Sequence, residues 1–243
     1  RSVGSPFTAG TLARRAAERR LRDEHGEVVD YLRAVADERQ ALGAQLRQLG
    51  LEPLPSAGNF VYVRTNDPTW LRDALAGLGI AVRAFADGCR ITTPGDPVAF
   101  ARLSRALDAA LQPRALLLDL DGVLADIEGR KALVEPAVVA ALAALWPLGV
   151  VTSCPRRLAE SVLQRHGFLS FVQTVVCSED GPGKPDPAPV RLALQRLSVS
   201  TAWMLGDNPG DVVAARGAGV VPLAIAPRGP GADGHAERLR AAG

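Results

Sequence analysis

Apolar residues recur at three- and four-residue steps through Val28, Tyr31, Leu32, Val35, Leu42, Leu46 and Leu49, which predicts an amphipathic helix stopped by Gly50. A shorter helix carrying Leu12, Ala16 and Ala17 precedes it, and both need an apolar surface to pack on. The pattern then predicts a strand at 59–63, a helix opened by Asp67-Pro68 and a strand at 79–85. A strand at 89–92 and a helix opened by Asp96-Pro97 and reaching about Leu111 follow. Strands and helices mix here without strict alternation, the mark of an α+β unit.

From Arg114 the rhythm changes. Residues 115–118 form a continuous apolar run, as in a parallel strand buried on both faces. Helices at 136–146, 157–166, 187–197 and 209–218 then alternate with strands at 149–152, 174–176, 202–205 and 220–224. Strict alternation predicts an α/β fold with a doubly wound, Rossmann-like parallel sheet of five strands. The expected boundary is Gln112-Pro113-Arg114, giving domains 1–112 and 114–243, with 228–231 as a loose Gly/Pro tail.

Composition narrows the function more than the fold. The 28 Lys and Arg against 26 Asp and Glu leave a net charge of +2, not the basic excess that nucleic-acid or anionic-membrane binding favours. No apolar run is long enough for a membrane helix and the first residues do not read as a signal peptide, so a cytoplasmic protein is expected. Cys89, Cys154 and Cys177 share no metal-ligand spacing and are expected as buried free thiols. His25, His166 and His235 are scattered, and surface or packing roles are expected for them. The only methionine is Met204, which suggests a chain whose natural start lies elsewhere, and the only lysines are Lys131 and Lys184.

In a doubly wound sheet ligands bind beyond the carboxyl ends of the strands, so the residues just after each strand carry the candidate chemistry. After the first predicted strand stands Asp119-Leu120-Asp121-Gly122-Val123; after the second, Thr152-Ser153; after the third, Gly183-Lys184-Pro185; after the fourth, Gly206-Asp207-Asn208-Pro209-Gly210-Asp211. Alone, the first is a turn, Lys184 a solvated charge and the last a loop with a helix cap. Together they bring four acids, a hydroxyl and one lysine to one rim. Crowded carboxylates repel unless a cation lies among them, and oxygen-only ligands are what Mg2+ accepts. A carboxylate beside such a cation can attack phosphorus, with lysine and hydroxyl holding the phosphoryl oxygens. Gly181-Pro182-Gly183-Lys184 is not a P-loop, because its spacing is wrong and Pro185 stands where Ser or Thr belongs.

These four motifs, in this order over about residues 114–225, resemble those of the haloacid dehalogenase (HAD) superfamily. The resemblance implies Asp119 as nucleophile, Asp121 as general acid and then base, Thr152 or less favourably Ser153 as phosphate binder, and Lys184 as the group steadying nucleophile and phosphoryl. It also implies Mg2+ held by Asp119, Asp207 and the backbone carbonyl of Asp121, with Asp211 in support. An aspartate at position 121 points to phosphate esters, since the dehalogenases lack one there. Only 33 residues separate Asp119 from Thr152, and 32 separate Thr152 from Lys184, so neither gap holds a cap domain and an open site is expected.

Pro6-Phe7-Thr8, Glu38-Arg39-Gln40-Ala41-Leu42, Pro55-Ser56-Ala57-Gly58-Asn59-Phe60-Val61, Gly79-Ile80-Ala81-Val82-Arg83 and Cys89-Arg90-Ile91-Thr92 resemble, in order, the C-terminal part of fold-type I aminotransferases, closest to the histidinol-phosphate aminotransferases. By that resemblance Arg90 grips a substrate carboxylate and Asn59 lies near the active site; a surface arginine and a strand-start asparagine are the structural alternatives. Pyridoxal phosphate needs a Schiff-base lysine, and none precedes Lys131, so the cofactor is expected only in a longer parent. Three readings follow: a Mg2+-dependent phosphatase of a small phosphorylated substrate, a fragment of a bifunctional aminotransferase and phosphatase, or a non-enzymatic phosphate or metal sensor. Aryl phosphate turnover separates the first from the third, and the upstream gene sequence separates the first from the second. A homodimer is a further expectation, carried weakly from the aminotransferases.

Overall fold

A computed structural model describes residues 10–23, 25–128, 130–226 and 232–242. The first half contains α1 (Thr11–Asp23), α2 (His25–Gln48), β1 (Glu52–Pro53), β2 (Phe60–Arg64), α3 (Pro68–Gly77), β3 (Arg83–Phe85), β4 (Gly88–Thr92) and α4 (Pro97–Leu111). Asp67 and Asp96 start α3 and α4 as cap residues: Asp67 accepts from the Trp70 amide at 2.8 Å and Asp96 from the Ala99 amide at 2.7 Å, each with proline next in line. The four strands form an antiparallel sheet in the order β1-β2-β4-β3. Its buried positions, Val61, Val63, Cys89 and Ile91, meet Leu42 and Leu46 of α2, Leu71 and Leu75 of α3 and Leu107 of α4 in one core.

The second half contains β5 (Leu116–Leu118), the hairpin β6 (Ala125–Asp126) and β7 (Lys131–Ala132), α5 (Pro136–Leu145), β8 (Leu148–Val151), α6 (Arg156–Arg165), β9 (Val172–Val176), α7 (Ala188–Leu197), β10 (Trp203–Gly206), α8 (Pro209–Gly217), β11 (Val221–Ala224) and α9 (Ala232–Ala242). The sheet order is β11-β10-β5-β8-β9 with every pair parallel. β5 and β8 are buried at every position, as their unbroken apolar runs require. From β5 the chain winds outward through β8 and β9, then returns to the other side for β10 and β11. The crevice of a doubly wound sheet therefore opens between the carboxyl ends of β5 and β10.

The two halves share a core. Along β10, Trp203 and Leu205 face one way and Met204 the other, as strand geometry dictates. Trp203 packs edge-on against Trp70, ring centroids 5.1 Å apart, and donates its indole N–H to the Ala109 carbonyl at 3.0 Å. Val221 of β11 belongs to the core of the first half, and the Thr201 hydroxyl donates to the Gln112 carbonyl across the connector.

Several expectations need correction. The strand predicted at 79–85 begins only at Arg83, because Gly79 takes a left-handed φ of 74° as the chain leaves α3. The apolar stripe of α2 is buried only from Val35; Tyr31 and Leu32 are exposed, and α1 buries none of its described residues. Cys89 and Cys177 are buried free thiols, but Cys154 is only half-buried. Pro6-Phe7-Thr8, the 228–231 tail and the His25 side chain lie outside the described residues. Among the described residues no helix is long and apolar enough to cross a membrane.

Candidate active site

Asp119 follows β5 and is 7% exposed, since its strand lies in the middle of the sheet. Lys184, from the loop between β9 and α7, reaches it at 2.8 Å from Nζ to Oδ1. The same ammonium meets Asp211 Oδ1 at 2.5 Å and donates to the Val151 carbonyl at 3.0 Å, so all three of its protons have acceptors. Asp211 lies in the first turn of α8 and uses both oxygens: Oδ1 takes Lys184, while Oδ2 accepts from the Asn208 amide at 3.0 Å to close a capping box. Helix start and charge cluster are thus fixed by one carboxylate.

Carboxylate oxygens of Asp119, Asp207 and Asp211 lie within 4.8 Å of one another. Burial raises the pKa of Asp119 to about 6, with Lys184 lowering it and Asp211 adding to the rise. Asp207 is raised too, by burial first and then by Asp211. Burial alone would depress Lys184, but Asp119 and Asp211 outweigh it and hold its ammonium charged. One lysine therefore faces three acids. An oxygen-only donor set with surplus negative charge fits a hard divalent cation such as Mg2+.

Thr152, directly after β8, is buried, and its Oγ1 accepts from the Cys154 amide at 3.1 Å, leaving the hydroxyl proton free to donate. Ser153 beside it is exposed. Asp121 is also exposed; its Oδ1 accepts from the Ile127 amide at 3.0 Å, so the β6–β7 hairpin steadies it, and its carboxylate stands outside the three-acid group. Asp119, Asp121, Thr152, Ser153, Lys184, Asp207 and Asp211 line one cavity of about 350 Å3. Arg90 does not join them. It lies on β4 of the other sheet, its guanidinium 5.6 Å from the Phe60 ring centroid and its buried Nε without a hydrogen-bond partner.

Cys154, Asn208 and Gly210 also line the cavity, the last two inside the quoted motif and none of them given a role from the sequence. His235 reaches the site from α9, its Nε2 against the Asp207 carbonyl and its Nδ1 3.1 Å from Arg238 Nη2. A lone histidine 28 residues beyond Asp207 carries no spacing signal for this contact.

Two consequences are measurable here. Gly122 takes a φ of 76°, and a Cβ on it would stand 2.0 Å from Asp207 Oδ2, so glycine is what lets the loops after β5 and β10 touch. Gly122→Ala is expected to lower turnover by about 100-fold through displacement of Asp207 and to raise the Mg2+ concentration for half-maximal activity; an unchanged Mg2+ titration would contradict it. The raised pKa of Asp119 also sets a pH dependence. Its folded pKa of about 6 exceeds the unfolded 3.8, so the unfolded state gives up its proton first as pH rises. Stability is lost between those values, by about 3 kcal/mol once both states are ionised. Urea unfolding in EDTA, wild type against Asp119→Asn at pH 4 and pH 7.5, is expected to show a larger loss in the wild type than in the variant, where the raised Asp207 still contributes, and Mg2+ is expected to reverse it.

Comparison with known proteins bears on residues 134–225, which match the family model of haloacid dehalogenase-like hydrolases. The match includes Thr152, Lys184, Asp207 and Asp211 and starts after Asp119 and Asp121. The phosphoglycolate phosphatase of Cupriavidus necator is 38% identical over 133 residues, 48% of this chain and 57% of that protein. The pyrophosphatase PpaX of Bacillus velezensis is 43% identical over 84 residues, 33% of this chain and 39% of that protein. Among solved structures, a HAD-superfamily hydrolase of Geobacter sulfurreducens gives a TM-score of 0.41 at 19% identity, covering 46% of this chain and 89% of that one. The chain spans between 39% and 57% of the length of the two curated relatives named. The second half is thus similar to HAD-type hydrolases, phosphatases among them. The family match does not reach residues 1–112.

Proposed function

We propose that residues 114–243 form a Mg2+-dependent phosphatase that hydrolyses small phosphomonoesters through an aspartyl-phosphate on Asp119. One observation carries this reading: both polar contacts of Asp119, from Lys184 and from the Leu120 amide at 2.8 Å, fall on Oδ1, which leaves Oδ2 unengaged among the described residues. A carboxylate so pinned at one oxygen presents the other for attack on phosphorus. The Thr152 hydroxyl donates to a transferring oxygen, and the Lys184 ammonium, its protons held by Asp119, Asp211 and the Val151 carbonyl, offsets phosphoryl charge at close range. Asp121, steadied by the hairpin yet open to solvent, gives its proton to the leaving oxygen and then takes one from the water that hydrolyses the acyl-phosphate. Asp119, Asp207 and the backbone carbonyl of Asp121 would hold Mg2+, with Asp211 in support, and the bound ion would offset phosphate charge.

The substrate class follows from what is absent over the rim. Among the described residues, the β6–β7 hairpin and α5 connect β5 to β8, α6 and a single short turn connect β8 to β9, and nothing of 1–112 lines the cavity. Such a site selects chiefly for the phosphate and accepts varied small leaving groups. The names of the relatives, a phosphoglycolate phosphatase and a pyrophosphatase, fit that class. Phosphate release from phosphoglycolate, pyrophosphate, amino-alcohol phosphates and sugar phosphates, each with Mg2+ or EDTA, tests it. Release from at least one compound, lowered by about 100-fold or more in EDTA, is expected; equal release in EDTA or none across the panel would contradict the proposal.

Arg90 favours a second reading for residues 1–112, as the substrate-side domain of a longer pyridoxal-phosphate aminotransferase. Its buried Nε is a donor without an acceptor, as a carboxylate grip would need. An in-frame, lysine-bearing cofactor domain upstream in the gene would support it, and a start codon immediately before Arg1 would refute it.

A further inference from the structure

A cavity of about 610 Å3 lies at the amino ends of β10 and β11, away from the catalytic rim. Ser200 and Thr201 enter it just before β10, and Gly219 just before β11, whereas Asp119 and Asp207 follow their strands. Its walls come from both halves: Arg102 and Arg105 from α4, Arg191 from α7 and Arg216 from α8. The only acid among them is Asp108, whose Oδ1 already accepts from Gln45 Nε2 at 2.8 Å. None of the four guanidiniums forms an ion pair among the described residues.

Three of these arginines are anchored without being neutralised. Arg102 donates to the carbonyls of Leu78 and Gly79 at the end of α3, Arg191 to the Gly217 carbonyl at the end of α8, and Arg216 to the Ala242 carbonyl at the end of α9. Helix-end carbonyls favour such cations and fix their direction. Each guanidinium has five N–H donors and only one nitrogen of each is engaged in these bonds, so most of their donor capacity stays available. Arg105 makes no hydrogen bond or ion pair within the described structure. The result is a concave site, the size of a small-molecule pocket, with four positive charges from three helices, three of them anchored, and one masked acid.

We propose that this cleft binds a compact small molecule carrying two or more anionic groups, phosphates or carboxylates, at the seam between the two halves. Guanidinium forks suit both groups, and four arginines from α4, α7 and α8 lining one cleft suit a compact ligand better than an extended chain. Because α4 belongs to one half and α7 and α8 to the other, the bound ligand ties them together and raises the melting temperature. The site is independent of the catalytic reading, so either can fail without the other.

Calorimetric titration of the whole chain in EDTA at fixed ionic strength tests it, with pyrophosphate as the phosphate probe and citrate as the carboxylate probe. At least one is expected to bind wild type and Asp119→Asn alike, to raise the melting temperature of both, and to bind Arg105→Gln/Arg191→Gln roughly tenfold or more weakly. That double variant is expected to keep wild-type aryl phosphate turnover in Mg2+. If loss of the Arg191 bond to α8 unfolds it, Arg105→Glu, which removes no internal bond, gives the same readout. Undiminished affinity in the arginine variants, or no binding of either probe to the wild type, would overturn the proposal.

Discussion

Asp119→Asn is expected to reduce aryl phosphate turnover by about 10^4-fold or more while leaving the fold intact. The amide keeps the shape and the contact from the Leu120 amide, but it is no nucleophile. The same substitution removes a carboxylate that burial holds at a pKa of about 6, so in EDTA at neutral pH the variant is expected to melt no lower than the wild type. Loss of activity without loss of stability separates a chemical role from a structural one. Steady-state kinetics and a melting curve on one preparation check both, and turnover within tenfold of wild type would remove Asp119 from the chemistry.

Lys184→Met is expected to produce the largest loss of stability of any single rim substitution. Its side chain is 7% exposed, and its ammonium touches two aspartates whose side chains are 10% and 3% exposed. Without it Asp119 and Asp211 face each other with no cation between them, and breaking a buried ion pair by removing one partner costs about 3–5 kcal/mol. A buried thioether stem replaces the alkyl packing, so the loss is electrostatic. Mg2+ is expected to restore part of the stability, because Asp119, Asp207 and Asp211 still offer it their oxygens. Urea midpoints with and without Mg2+ measure this. A variant within 1 kcal/mol of wild type, or one indifferent to Mg2+, would show that the triad is not the electrostatic centre of the site.

The second half is legible in the sequence because its chemistry and its topology coincide. Unbroken apolar runs mark β5 and β8, and the polar residues after them stand at the crevice that the strand order opens. Other features have no such local signature. The β6–β7 hairpin is two residues on each side and is held by Asp121 and its neighbours, not by strand propensity. The contact of His235 with Asp207 depends on where α9 packs, and the anchoring of Arg102, Arg191 and Arg216 depends on where three helices end. In the first half the stripe at Tyr31 and Leu32 shows the converse: helical periodicity is present, yet both side chains stay exposed, the Tyr31 ring lying against Gly95 before α4.

The proposed chemistry passes through a covalent phosphoryl group at Asp119. Acid quenching of the whole chain during turnover of an aryl phosphate with Mg2+, followed by proteolysis and mass spectrometry, looks for it directly. The predicted result is a peptide containing Asp119 heavier by one phosphoryl group, present only with substrate and absent in Asp119→Asn. Steady turnover with that peptide unmodified, or with the phosphoryl group on another residue, would contradict it.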